Sequence, residues 1–439
     1  MTTVRATSSL AGGFAALFML HGVVAAQTCT IDHERELMVR DVSVVDNCPR
    51  TTWGPCPNTA PLGAWTFGHL IAGVAGTNDP AKLSAFVLNW LSNWQHDRTV
   101  NGFTIPQRTG IANVLINPWL AASGNNGQLD MQKAPFRLLA IVNRLDLRRE
   151  PVNGNGSAGE ARFVFNVLNI NDPNNPVTTQ FNVILEYGIP ATTCDDIVAW
   201  AQRWHALGSI PFGEEYNAAL QSITDTFTKI GANAAKPNGS ALNQLRTNEI
   251  ALAVPWELRE FTLAPATVNP DAPSPLIQTP VKQTPNHAVD PNQDLMGSQL
   301  VADYINTFEN DILNGTNVVP AMFEGSHFLG GATINNIDFW NGFVDNRIHN
   351  NEARHLFSLN TCNACHGRET NTGFKQIEPR AHGAAAQLAL FLTGEDVVDP
   401  VDGTQRHFND LQRRADDMCH VLNIPCTQLI NEPPLNRVH

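Results

Sequence analysis

Basic residues are scarce in this 439-residue chain: Lys and Arg total 28 against 41 Asp and Glu, a formal net charge of −13. That balance argues against nucleic acid or an anionic membrane as partner, since clustered cations dominate binding to both. Long apolar runs are also missing. Outside the extreme N-terminus no stretch reaches the roughly 18 residues a bilayer span needs, so no membrane span is expected. There is no G-x-S-x-G elbow, no H-E-x-x-H, no Walker loop and no G-x-G-x-x-G before a helix. Asn153-Gly154-Asn155-Gly156 reads as a turn rather than a phosphate cradle. No internal repeat is visible. What is present is globular: 43% hydrophobic and 16% charged residues supply a sizeable core and exclude wholesale disorder.

Residues 1–26 have the pattern of a signal peptide. Arg5 gives a positive start, Leu10 to Val24 is apolar, and Val24-Ala25-Ala26 offers small residues for cleavage. The mature chain is therefore expected to begin near Gln27 and to be periplasmic or secreted. Eight cysteines are read in that oxidising context: Cys29, Cys48, Cys56, Cys194, Cys362, Cys365, Cys419 and Cys426. Setting Cys362 and Cys365 aside leaves six for up to three structural bridges. Cys419 and Cys426, close in sequence, are the easiest pair to join. The pairing of the other four is left open.

An α+β region is expected over 27–263, mainly an antiparallel sheet with helices. Asp79-Pro80 starts a helix whose Leu83, Phe86, Val87, Trp90, Leu91 and Trp94 form one apolar face. Arg137–Val142, Phe163–Leu168 and Phe181–Leu185 read as strands, with a fourth near Ile250 to Val254 and an extension at Glu260 to Leu263. Two helices follow the third strand and stop at Gly208 and Gly231. Glu214-Glu215 and Asp195-Asp196 sit at helix starts, where the helix dipole accounts for them. Seven prolines punctuate 264–292, which reads as a Pro-rich linker. Residues 293–439 are expected to be mostly α-helical, with helices at Leu300–Leu313, Asn351–His366 and about 408–422.

The sharp signal is Cys362-Asn363-Ala364-Cys365-His366. A c-type haem is held by two thioethers and by iron coordination from the adjoining histidine, and C-x-x-C-H meets that geometry. Leu356-Phe357 lies one turn ahead, Gly367 follows, and Pro379 comes 13 residues after His366. The Pro379 carbonyl is expected to accept the proton on the far nitrogen of the imidazole. Competing readings are a zinc site, which would need a fourth ligand, a thioredoxin-like redox pair, which lacks its βαβ context, and a strained two-residue disulfide.

With these features, residues of about 345–425 resemble a small c-type cytochrome domain; the resemblance covers about a fifth of the chain. It implies a cytochrome c-like helical fold and one covalent haem c on Cys362 and Cys365, with His366 as the proximal iron ligand. A later methionine often completes the iron. Met418 is the only methionine after the motif, with His382, His407, His420 or an open distal position as rivals. The resemblance does not extend to the N-terminal region. The expected function is one-electron transfer by an exported mono-haem cytochrome, whose N-terminal domain serves a redox partner protein or a small-molecule electron donor or acceptor. The alternatives are a haem-dependent peroxidase or oxygenase with an open distal site, and a non-haem secreted binding protein with structural disulfides. If the chain is an enzyme, it is a haem-dependent oxidoreductase. His327, His349, His355, Arg347 and Arg354 cluster just upstream of the motif, and surface or capping roles suit them better than peroxide chemistry.

Overall fold

The computed structural model describes residues 1, 29–51, 62–149, 156–172, 174–265, 272–335, 340 and 347–429. The expected signal segment, apart from Met1, lies outside them, as does Cys56.

An eight-stranded antiparallel sheet organises the molecule, confirming an α+β architecture. Its strands are β1 (Met38–Val39), β2 (Phe136–Arg144), β3 (Gly156–Asn169), β4 (Val177–Ala191), β5 (Leu242–Glu249), β6 (Trp256–Leu263), β7 (Leu276–Thr279) and β8 (Thr333–Asn335). The first six are neighbours in that order. One edge of β6 then pairs β8 through Trp256–Leu258 and β7 through Glu260–Leu263. The strand expected near Ile250–Val254 is a connection between β5 and β6. Polar and charged residues interrupt the strands on either side; the extension expected at Glu260 to Leu263 is the second half of β6.

Because side chains alternate across a strand, the sheet has two unlike faces. Phe163 and Phe165 of β3, Phe181 and Tyr187 of β4, and Phe261 of β6 share the apolar one. Helices α1 (Phe67–Ala75), α2 (Pro80–Leu91), α3 (Cys194–His205) and α4 (Glu214–Thr228) form the helical layer packed there. Asp79 caps α2 and Pro80 occupies its first turn. This brings Trp90 and Trp94 against Phe261, with ring centroids 6.2 and 5.2 Å away. Asp196 completes a capping box with Thr193, and Glu214 pairs with Arg50 at 2.7 Å.

The other face is polar and carries the C-terminal half. Helix α5 (Gln299–Thr307) is followed by α6 (Glu309–Leu313), with a break at Phe308 where one continuous helix was expected. Next come α7 (Asn351–Leu359), α8 (Cys362–Cys365) and α9 (Asp410–Asn423). A β-hairpin, Glu395–Val398 with Gln405–Phe408, stands before α9. Within the segment expected as a linker, Leu276–Thr279 is β7 of the sheet. One apolar cluster runs from Ile31 to Leu429 and takes in Cys365, Phe408, Leu411 and Met418.

The disulfides differ from the local pairing anticipated. Cys419 joins Cys29, and Cys426 joins Cys194. Cys48 is also disulfide-bonded. Cys419 and Cys426 lie on either side of the C-terminal end of α9, and each faces a different N-terminal partner.

Candidate functional site

Helix α7 begins where the Asn350 side chain accepts from the Glu352 and Ala353 amides. Its Phe357 packs 5.7 Å from Tyr304 and 5.9 Å from Trp340. The helix ends at Leu359 because Thr361 is extended and its hydroxyl turns back to donate to the Ser358 carbonyl. The motif therefore forms its own single turn, α8, instead of continuing α7. Thr284 anchors that turn by accepting from the Cys362 amide at 3.0 Å. Asn335 of β8 donates to the carbonyls of Asn363 and His366.

Cys362 and Cys365 are both fully buried and are not joined to each other. Burial pushes the Cys362 thiol up to about 11 and raises that of Cys365 as well, so both are protonated at neutral pH. The Gln376 amide donates to Cys365 Sγ at 3.3 Å.

His366 is fixed from two sides. Its Nδ1 lies 2.6 Å from the Phe374 carbonyl. A carbonyl cannot donate, so Nδ1 carries the proton and the lone pair is on Nε2. Burial holds the imidazole pKa down to about 4, which keeps the ring neutral. The ring also stacks on Trp256 of β6, with centroids 5.5 Å apart and planes 25° from parallel. The sequence pointed to Pro379 as the carbonyl here; the loop instead turns back earlier and presents Phe374. Phe374 sits at φ +62°, a left-handed conformation that costs a bulky residue on the order of 1–3 kcal/mol.

A row of asparagines on the sheet sets that loop. Asn166, Asn182 and Asn248 lie opposite one another on β3, β4 and β5. Asn248 donates to the Phe374 carbonyl at 3.1 Å, and Asn182 to the Ile377 carbonyl at 3.0 Å. Trp256 Nε1 in turn donates to Asn248 Oδ1 at 2.7 Å. The residues that orient His366 thus come from strands more than a hundred positions earlier in the chain.

Between this loop and the sheet lies a narrow slot with a cavity volume of about 70 Å³. His366, Gln376 and Ile377 line one side; Val164, Ile184 and Leu258 are among the sheet residues on the other. Four arginines reach it, Arg144, Arg162, Arg246 and Arg414, against one carboxylate, Glu186. Each guanidinium is backed by an acid: Asp146 at 2.8 Å, Glu160 at 2.8 Å, Glu260 at 2.9 Å and Asp410 at 2.5 Å respectively. Burial and the neighbouring Arg144 nonetheless push Arg414 down to about 10. Its Nε has no hydrogen-bond partner among the described residues. The four guanidinium charges are thus matched by neighbouring carboxylates.

The other expected ligands are elsewhere. Met418 lies one turn beyond Arg414 on α9, fully buried in the main apolar cluster, and is not among the residues lining the slot. The methionine that does line it is Met38 of β1, with four strands between it and β6. His382 faces Asp46 at 3.8 Å, His407 pairs with Asp396 in the exposed hairpin, and His420 is exposed on α9. Upstream of the motif, Arg354 and His355 are buried rather than superficial. Arg354 bridges Glu369 at 2.7 Å and Asp399 at 3.1 Å, and His355 Nδ1 is 2.5 Å from Glu369. His355, Glu369 and Asp399 are close enough to share a cation, but Arg354 already supplies positive charge to both carboxylates.

Comparisons with family models, with curated proteins and with solved structures give no match. Asn248, Trp256, Phe374 and the four arginines were not legible as site residues. The one sequence signal was polar side chains at alternate positions in strands that are otherwise apolar.

Proposed function

We propose that the chain is an exported mono-haem c-type cytochrome, with one covalent haem c held beside α8 and used for one-electron transfer. The observation that carries this reading is His366: a neutral imidazole, its proton committed to the Phe374 carbonyl, next to two buried thiols that are not joined to each other. A proximal haem ligand requires that tautomer and gains basicity from that bond.

The donor set suits the group in kind, two thiols and a neutral imidazole on one turn, although of the three only His366 lines the slot. Cys362 and Cys365 would hold it through sulfur and His366 through Nε2. When bound, the haem supplies a one-electron iron couple. The chain's own part is to orient and to exclude water. Phe374 keeps the proton on Nδ1, Trp256 fixes the ring plane, and the apolar residues of β3, β4 and β6 close the slot. In this reading, residues of about 345–425 act as the cytochrome c-like unit, and the sheet of the N-terminal region forms the opposing wall. The inter-segment disulfides suit a periplasmic or secreted protein. The electron donor or acceptor is a partner protein or a small molecule.

Cys365→Ala is expected to weaken or abolish haem-dependent staining on a denaturing gel; unchanged staining would overturn the proposal. A second reading, a haem-dependent peroxidase, is favoured by one observation: Glu186 and Arg246 line the slot and Met418 does not. A carboxylate and a guanidinium are the acid/base and charge-stabilising groups peroxide chemistry uses. Peroxide-dependent dye oxidation that falls at least tenfold in Glu186→Gln would favour it over electron transfer alone.

A further inference from the structure

Beyond the slot, the same sheet face opens into a cleft of about 1090 Å³. The two spaces share Arg162 and Arg246. The cleft has a charge opposite to that of the molecule. Arg149, Arg162, Lys236, Arg246 and Lys282 line it, with Glu160 as its one carboxylate, although the chain as a whole carries −13.

That carboxylate is already engaged. Arg162 lies 2.8 Å from Glu160, and the amides of Asn243 and Gln244 donate to it at 3.0 and 3.1 Å. The lysines meet neutral oxygens instead. Lys282 Nζ donates to Gln244 Oε1 at 2.6 Å, and Lys236 Nζ to Asn243 Oδ1 at 2.6 Å and to the carbonyls of Leu242 and Ala241 at 3.2 and 3.3 Å. Burial disfavours the Lys236 charge and lowers its pKa. A concave wall of cations with low-dielectric surroundings focuses potential and draws in anions, even on an acidic protein. The volume is of small-molecule size rather than the flat area a protein partner needs.

We propose that this cleft binds a small organic polyanion, with Lys282 as its direct charge partner and Lys236 behind it on the same wall. The site does not depend on the haem. If the haem is present, the bound anion lies at the outer end of the same sheet face, where a small-molecule electron donor or acceptor would be placed.

The test is titration calorimetry of the full chain with citrate at low ionic strength, with erythritol as the uncharged control. Citrate is expected to bind saturably, erythritol not at all, and added salt to weaken the citrate site. Lys282→Gln and the Lys236→Gln/Lys282→Gln pair should weaken citrate by at least tenfold, with the thermal melting curve of Lys282→Gln unchanged. Absence of citrate binding to the unaltered protein, or equal binding by the folded Lys282→Gln variant, would overturn the proposal. Haem content of the same samples, read by absorbance, separates failure of this site from failure of the haem reading.

Discussion

At the scale of single residues, the site works through a relay of neutral hydrogen bonds. Trp256 donates to Asn248, Asn248 to the Phe374 carbonyl, and His366 to the same carbonyl. Asn248→Ala removes one of the two donors and leaves the Trp256 indole without its acceptor. A cost of about 1–3 kcal/mol is expected from denaturant unfolding. The Phe374 carbonyl is then a stronger acceptor for His366, the imidazole is more basic, and the reduction potential should fall relative to the unaltered protein. An unchanged potential would remove Asn248 from the account. Met418→Ala, by contrast, should behave as a core deletion. About 2–5 kcal/mol of stability is lost while the absorption spectrum stays as it was. A spectral change at the iron would instead restore Met418 as a ligand.

At the scale of elements, the two faces of the sheet explain what was legible and what was not. The strands around Arg137–Val142, Phe163–Leu168 and Phe181–Leu185 announce themselves by apolar residues, and the C-x-x-C-H turn by its local spacing. β5 does not, and β6 does so only at Glu260–Leu263, because Arg246, Asn248, Glu257 and Arg259 interrupt the apolar pattern. Those charges are buried in pairs that only the strand register creates, such as Arg246 opposite Glu260. No reading of one segment can supply a partner 14 residues away on the next strand, or the Phe374 carbonyl that reaches Asn248 across 126 residues. The register also buries Glu249 beside Arg108, and desolvation raises its pKa to about 7. A carboxylic acid with a raised folded-state pKa contributes stability below its unfolded value near 4.5, and that contribution is lost as pH rises through 7. Glu249→Gln should remove this dependence. The difference in unfolding free energy between variant and unaltered protein is expected to change by roughly 3 kcal/mol between pH 4.5 and 7. A constant difference across that range would contradict it.

At the scale of the whole molecule, the C-terminal helix is bolted to the N-terminal half in two places. Cys29–Cys419 and Cys194–Cys426 close loops of 390 and 232 residues. Proteolysis without reduction followed by mass spectrometry should recover those two cross-linked pairs, and no Cys419–Cys426 link. Removing either bridge by paired serine substitution is expected to cost about 2–5 kcal/mol. The pairing was illegible because sequence proximity favoured the two cysteines flanking the end of α9. The fold instead directs Cys419 toward the segment before β1 and Cys426 toward α3. The same long-range closure lets a motif near residue 362 use a wall built from residues 144–258.

The proposed electron transfer requires a porphyrin joined to Cys362 and Cys365. The most direct measurement is the absorption spectrum of the reduced protein in alkaline pyridine, taken after expression with a maturation system that attaches haem. The account requires a c-type haemochrome at one haem per chain, with colour that stays on the polypeptide through acid–acetone extraction. Colourless protein, or a pigment that extracts freely, would contradict it.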